Sequence, residues 1–191
     1  LLAQRTKDKG ETTRKEKIML SQKTIDRLNQ QINLEIYSSH LYLQMSSWCA
    51  YKSLDGCATF LSQHADEEMM HMRRLLNYLQ ETGALAIISG MQAPPADYNS
   101  VKEMFEKIYE HEQVVTSKIN DLVHLATTEQ DYATLQFLQW YVAEQHQEEF
   151  LFKSILDKIK LIGTEGQGIF FIDREIANMA ANRTGETTAM T

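Results

Sequence analysis

The chain has 191 residues, 43% of them hydrophobic and 24% charged, with a formal net charge of −7 at pH 7. It is long enough to bury one continuous core, and no apolar run approaches the roughly 18 residues of a membrane span, so a soluble single domain without membrane contact is expected. An acidic chain argues against nucleic acid and suits cationic cargo, while two cysteines lacking a Cys-x-x-Cys spacing, Cys49 and Cys57, exclude a disulfide framework and indicate reduced thiols in a cytoplasmic protein.

Two prolines and eight glycines are few for this length and favour helix nearly throughout, so the fold class is all-α. Residues 1–18 form a basic leader, with six basic and three acidic side chains, which leaves −10 on the remainder. The leader has no apolar segment of the kind a secretory signal needs, and we expect it to be disordered or non-native. Met19 is the expected natural start: Lys15-Glu16 can be encoded by AAGGAG, a ribosome-binding sequence just upstream of the Met19 codon.

A first helix is expected from the N-cap Ser21 to about Lys52, with a stripe of Ile25, Leu28, Ile32, Glu35, Ser39 and Tyr42. A second, from about Asp55 to Thr82 with Gly83 as a left-handed stop, places Cys57, Leu61, His64, Glu68, His71, Leu75 and Tyr78 on one stripe. Between Ala84 and Asn99 the pattern lapses, and Gly90, Pro94 and Pro95 predict a long extended connection able to cross the length of a bundle. The third helix opens with a capping box at Ser100 and Glu103 and runs to about Thr127; its stripe of Val101, Phe105, Ile108, Glu112, Val115, Ile119, Leu122 and Ala126 is apolar except at Glu112. The fourth, capped by Asp131 and ending near Gly163, carries Leu135, Leu138, Tyr141, Gln145, Glu148, Phe152, Ile155 and Ile159. A Gly-rich turn leads to a short amphipathic fifth helix, Ile169 to about Met179. The domain is expected to span 19–180, with 181–191 a disordered polar tail.

The charged interruptions repeat. Glu35 and Glu68 are 33 positions apart, as are Glu112 and Gln145, and His71 and Glu148 each follow three residues later. On a helix that last spacing puts both side chains on one face. Two hairpins related by a pseudo-twofold axis would bring Glu35, Glu68, His71, Glu112 and Glu148 together, with Gln145 beside them. Four buried carboxylates without compensating charge would cost several kcal/mol each and take up protons. One histidine cannot neutralise them, no Lys or Arg lies on these stripes, and two divalent cations can; an oxygen-rich site with one imidazole suits iron or manganese.

From Met19 to about Ala180 the chain resembles bacterial non-haem ferritin, through Asn33-Leu34-Glu35-Ile36-Tyr37-Ser38-Ser39, Glu67-Glu68-Met69-Met70-His71, Phe137-Leu138-Gln139-Trp140-Tyr141-Val142 and Glu144-Gln145-His146. The resemblance implies a ferritin-like four-helix bundle with one long crossover between helices 2 and 3. It implies an iron-storing ferroxidase that oxidises Fe(II) with O2 or H2O2 and stores ferric oxide inside a shell of 24 chains. It further implies that one iron takes Glu35, Glu68 and His71, the second Glu68, Glu112 and Glu148, that Gln145 sits near the second iron, and that Tyr42 and Trp140 flank the centre. A third iron position maps onto Glu67, Glu144, Gln147 and Glu148, where Gln147 replaces the family's glutamate and weakens the site. Because the second half carries Gln145-x-x-Glu148 instead of a second Glu-x-x-His, as bacterioferritin and rubrerythrin have, no haem is expected. A peroxide-detoxifying di-iron protein and a storage or assembly subunit with a silent centre are the alternatives. Leu34, Leu41, Leu43 and Phe60, outside the core stripes, are expected to face other subunits.

Overall fold

The computed structural model describes residues 19–189, with side chains through Ala181; the leader 1–18 and the reading of Met19 as a start lie outside the described residues. Among the described residues there are five helices and no strand: α1 (Gln22–Tyr51), α2 (Asp55–Glu81), α3 (Val101–Thr128), α4 (Tyr132–Ile162) and α5 (Gln167–Ala189). None of them is long and apolar enough to cross a membrane.

Local chemistry starts and stops the helices where the sequence predicts. Ser21 Oγ accepts from Thr24 N at 3.1 Å, Ser100 Oγ from Glu103 N at 3.1 Å and Asp131 Oδ1 from Thr134 N at 3.0 Å, each satisfying an orphan N–H of a first turn. The return bond of the expected capping box is displaced by one residue, since Glu103 Oε2 accepts from Asn99 N. Gly83 (φ 78°) and Gly163 (φ 80°) take the positive φ that ends α2 and α4. The helix α5 runs to Ala189, beyond the expected end near Met179, because Ala180 and Ala181 are strong helix formers and no proline intervenes.

α1 lies along α2 and α3 along α4, and the two hairpins meet through α1 and α3. Both hairpin turns hold a non-glycine residue at positive φ, Ser53 (φ 59°) and Gln130 (φ 56°), and these are separated by the same stretch of chain as Glu35 and Glu112. The internal repeat is therefore present in the turns as well as in the charged positions. The segment 84–99 is extended and follows α1. Asn29 exchanges hydrogen bonds with it, donating to Leu85 O at 3.3 Å and accepting from Ile87 N at 2.7 Å; Asn33 likewise donates to Ile87 O and accepts from Ser89 N, each at 2.7–2.8 Å. Trp48 Nε1 donates to Asp97 Oδ1 at 2.8 Å near the far end. These amide side chains supply partners to a backbone that has no neighbouring strand.

The apolar core falls into two blocks. One, built on Tyr42, Cys49, Phe60, Phe105, Ile108 and Phe152, is closed by Ile172 and Ile176 of α5; the other is built on Leu28, Ile32, Leu75, Leu79, Ile119 and Leu138. Two of the residues expected at subunit contacts belong to the core. Phe60 is fully buried against Phe105 and Phe152, and Leu41 is buried as well, because the chain's own helices and crossover cover faces that a four-stripe bundle leaves open. Leu43 is exposed and Leu34 half-buried.

Candidate metal centre

Between the two blocks lies a polar layer. Glu35 of α1, Glu68 and His71 of α2, Glu112 of α3 and Gln145 and Glu148 of α4 are each 5% exposed or less. Each sits mid-helix on a stripe that is mainly apolar towards both ends, so helix packing carries it inward regardless of its own preference for water.

Ligand atoms of Glu35, Glu68 and His71 all lie within 4.8 Å of one another. His71 Nδ1 is 3.4 Å from Glu68 Oε2, and its Nε2 is 3.9 Å from Glu144 Oε1. The ring is braced edge-on by Trp140, whose own face carries the Arg74 guanidinium, and Tyr141 Oη donates to the His71 carbonyl at 2.7 Å. Glu35 Oε1 accepts from Gln31 Nε2 at 2.8 Å, while its Oε2 is buried with no hydrogen-bond partner. In the other hairpin Gln145 Nε2 donates to Glu112 Oε2 at 3.0 Å, and Tyr42 Oη reaches across from α1 to donate to Glu112 Oε1. The Tyr42 ring is held in turn by the edge of His111, whose Nε2 is 2.7 Å from Ser38 Oγ.

The electrostatics are those of negative charge held out of water. Burial and then the neighbouring Glu68 raise Glu35 well above the usual carboxylate range, and burial and then Glu112 do the same to Glu68. Glu112 is pushed up to about 7 by burial and by Glu148, against the hydrogen bonds from Tyr42 and Gln145. Burial and Glu112 raise the Tyr42 phenol, so it remains a hydrogen-bond donor, and burial alone lowers His111 to about 4. A site that resists ionisation this strongly favours divalent cations, each able to neutralise two carboxylates. The residues present fit such ions, since Glu35, with one buried oxygen outside any hydrogen bond, offers a ligand atom within 4.8 Å of those of a second carboxylate and an imidazole.

The residues expected at a third position are placed differently from one another. Glu67 is half-buried and joins Glu148, Glu144 lies beside His71, and Gln147 is exposed. A second trio of ligand atoms within 4.8 Å consists of His64, Glu67 and Glu148. His64 stood on the predicted stripe of α2, but sequence reasoning gave it no role; its spacing of three before Glu67 was the available signal.

A family model described as a ferritin-like domain matches residues 25–162. The bacterial non-heme ferritin of Escherichia coli O157:H7 is 54% identical over 161 residues, covering 84% of this chain and 98% of the relative. A probable bacterial non-heme ferritin-like protein of Haemophilus influenzae is 55% identical over 162 residues, 85% of this chain and 98% of the relative. Among solved structures, the open-pore ferritin of Archaeoglobus fulgidus superposes with a TM-score of 0.81 at 39% identity, covering 83% of this chain and 96% of that one; Chlorobium tepidum ferritin gives 0.75 at 50% identity, covering 83% and 97%.

Proposed function

Since the chain belongs to the ferritin-like family, we propose that it is an iron-storage ferritin that oxidises Fe(II) in its polar layer and keeps the ferric product inside a shell of 24 copies. Fe(II) is the substrate, and O2 or H2O2 the oxidant. Two ferrous ions held side by side supply the two electrons that convert O2 to H2O2, or H2O2 to water, with protons drawn from solvent. In this reading Glu35, Glu68 and His71 bind one iron and Glu68, Glu112 and Glu148 the second, so that Glu68 bridges.

The remaining groups orient and tune. Gln145 and Tyr42 each donate to one Glu112 oxygen, which turns that carboxylate and favours its ionised form. The Tyr141 bond to the His71 carbonyl fixes the backbone that carries the imidazole. Glu144 faces His71 Nε2, where a proton remains when Nδ1 is the ligating atom. The apolar blocks on either side exclude water, so the carboxylates exchange protons for cations, and hard oxygen donors favour the ferric product.

The observation that carries this reading is the Glu35–Glu68–His71 convergence, with a buried carboxylate oxygen left without a hydrogen bond. The free buried thiols Cys49 and Cys57 support a cytoplasmic location, and exposed apolar side chains such as Phe150, Leu161 and Phe170 support assembly. Residues 19–180 act as the ferritin-like domain. Stopped-flow Fe(II) oxidation by the metal-free protein tests the activity. Glu112→Ala and Glu148→Ala are expected to slow the fast phase by an order of magnitude or more, and equal rates in all three proteins would overturn the assignment.

A further inference from the structure

Gln31 is 2% exposed on α1, one helical turn before Glu35 and on the same face. The internal repeat shows that a polar side chain is not needed there for packing: the step along the chain that carries Glu35 to Glu112 carries Gln31 to Ile108, which is fully buried and apolar. What offsets the burial of the amide is its bond to Glu35, Nε2 to Oε1 at 2.8 Å. The amide oxygen turned to this place would meet the carboxylate oxygen head-on, so the NH2 end faces Glu35.

The two hairpins thus hold corresponding carboxylates differently. Glu112 has a donor on each oxygen, Tyr42 on Oε1 and Gln145 on Oε2, whereas Glu35 has a donor on Oε1 and none on Oε2. An ion chelated by both Glu35 oxygens would compete with the amide for the electron density of Oε1, and an N–H left unpaired in a layer closed to water is costly. Oε2 is the unencumbered ligand. We propose that Gln31 is a positioning residue which, by holding Oε1, makes Glu35 a one-oxygen ligand through Oε2 and keeps a coordination position open for the oxidant. The inference rests on the di-iron reading and gives a role within it to a side chain that binds no metal. Glu35, Glu68 and His71 each offer one ligand atom, so an ion among them has three protein donors and open positions besides. A second Glu35 oxygen would close one of those positions.

Gln31→Met keeps the volume and removes the donor. Crystals of the metal-free assembly soaked in Zn2+, which has no redox chemistry, are expected to show Glu35 bound through Oε2 alone in the wild type and through both oxygens in Gln31→Met. Equilibrium dialysis should find zinc held at least as tightly by the variant, while stopped-flow oxidation of Fe(II) at saturating iron slows several-fold. Affinity kept with turnover lost separates positioning from packing, because a merely loosened core lowers both. The wild-type crystal decides even where the variant does not fold, since zinc held there by both Glu35 oxygens overturns the inference. So does a variant in which Glu35 stays on one oxygen, or one that loses affinity and rate together. Zinc absent from Glu35, Glu68 and His71 in the wild type would overturn the di-iron reading, and this inference with it.

Discussion

At the scale of single residues the centre is a set of carboxylates whose ionisation opposes the fold until a cation arrives. A folded-state value of about 7 for Glu112, above its ordinary 4.5, means that the native state holds this proton more tightly than the unfolded chain does. The stabilisation is complete below about pH 4.5 and is lost as pH rises through 7; Glu35 and Glu68 shift in the same direction. Calorimetry of the metal-free protein should therefore find this contribution, a few kcal/mol per chain, disappearing between about pH 4.5 and 8, with added Mn2+ raising Tm more at pH 8 than at pH 5.5. Tyr42→Phe removes a donor that lowers Glu112, so Glu112 will hold its proton to higher pH. Fe(II) oxidation by this variant should fall several-fold at pH 6 and little at pH 8; an equal loss at both would show that the phenol acts otherwise. Glu35, Glu68 and His71 were legible as a trio because helical spacing alone puts two of them on one face. His64 was not, since its meaning depends on Glu148 and Phe152, which α4 brings from far along the chain.

At the scale of elements, the start of α2 is held from outside. Its N-cap Leu54 makes no side-chain capping bond, and Asp173 of α5 accepts instead from Gly56 N at 3.1 Å and Cys57 N at 2.8 Å. Asp173→Ala should cost about 1 kcal/mol, the usual worth of a cap, and lower Tm by about 2–4 °C in a protein of this size. Gly56 has a separate reason to be glycine: a Cβ there would lie 2.1 Å from the Asp173 carbonyl oxygen, so Gly56→Ala must push α5 off α2. Hydrogen exchange should accelerate in α5 and the first turn of α2 of that variant before it does in α1 or α3. Helix bounds were readable because caps and positive-φ glycines are local signals. The Asp173 cap was not, because it joins elements more than a hundred residues apart.

At the scale of the whole molecule, the crossover lies along α1 and leaves Leu85, Ile87 and Ile88 more than half exposed, which a monomer in water has no reason to keep. Leu85→Asp with Ile88→Asp should shift sedimentation from a large shell towards small species while helical circular dichroism is retained; an unchanged shell would remove this face from the assembly contacts. The sequence by itself determined the all-α class, the bounds of α1 to α4, the crossover and the repeated charges at Glu35, Glu68, His71, Glu112 and Glu148, because caps, prolines, glycines and helical periodicity act within a few residues. Only the tertiary structure decided that Phe60 and Leu41 belong to the core, that Tyr42 and Gln145 grip opposite oxygens of Glu112, and that His64 meets Glu67 and Glu148. Each of these depends on distances between helices that are remote in the chain, and those distances are set by side-chain packing, which no local pattern encodes.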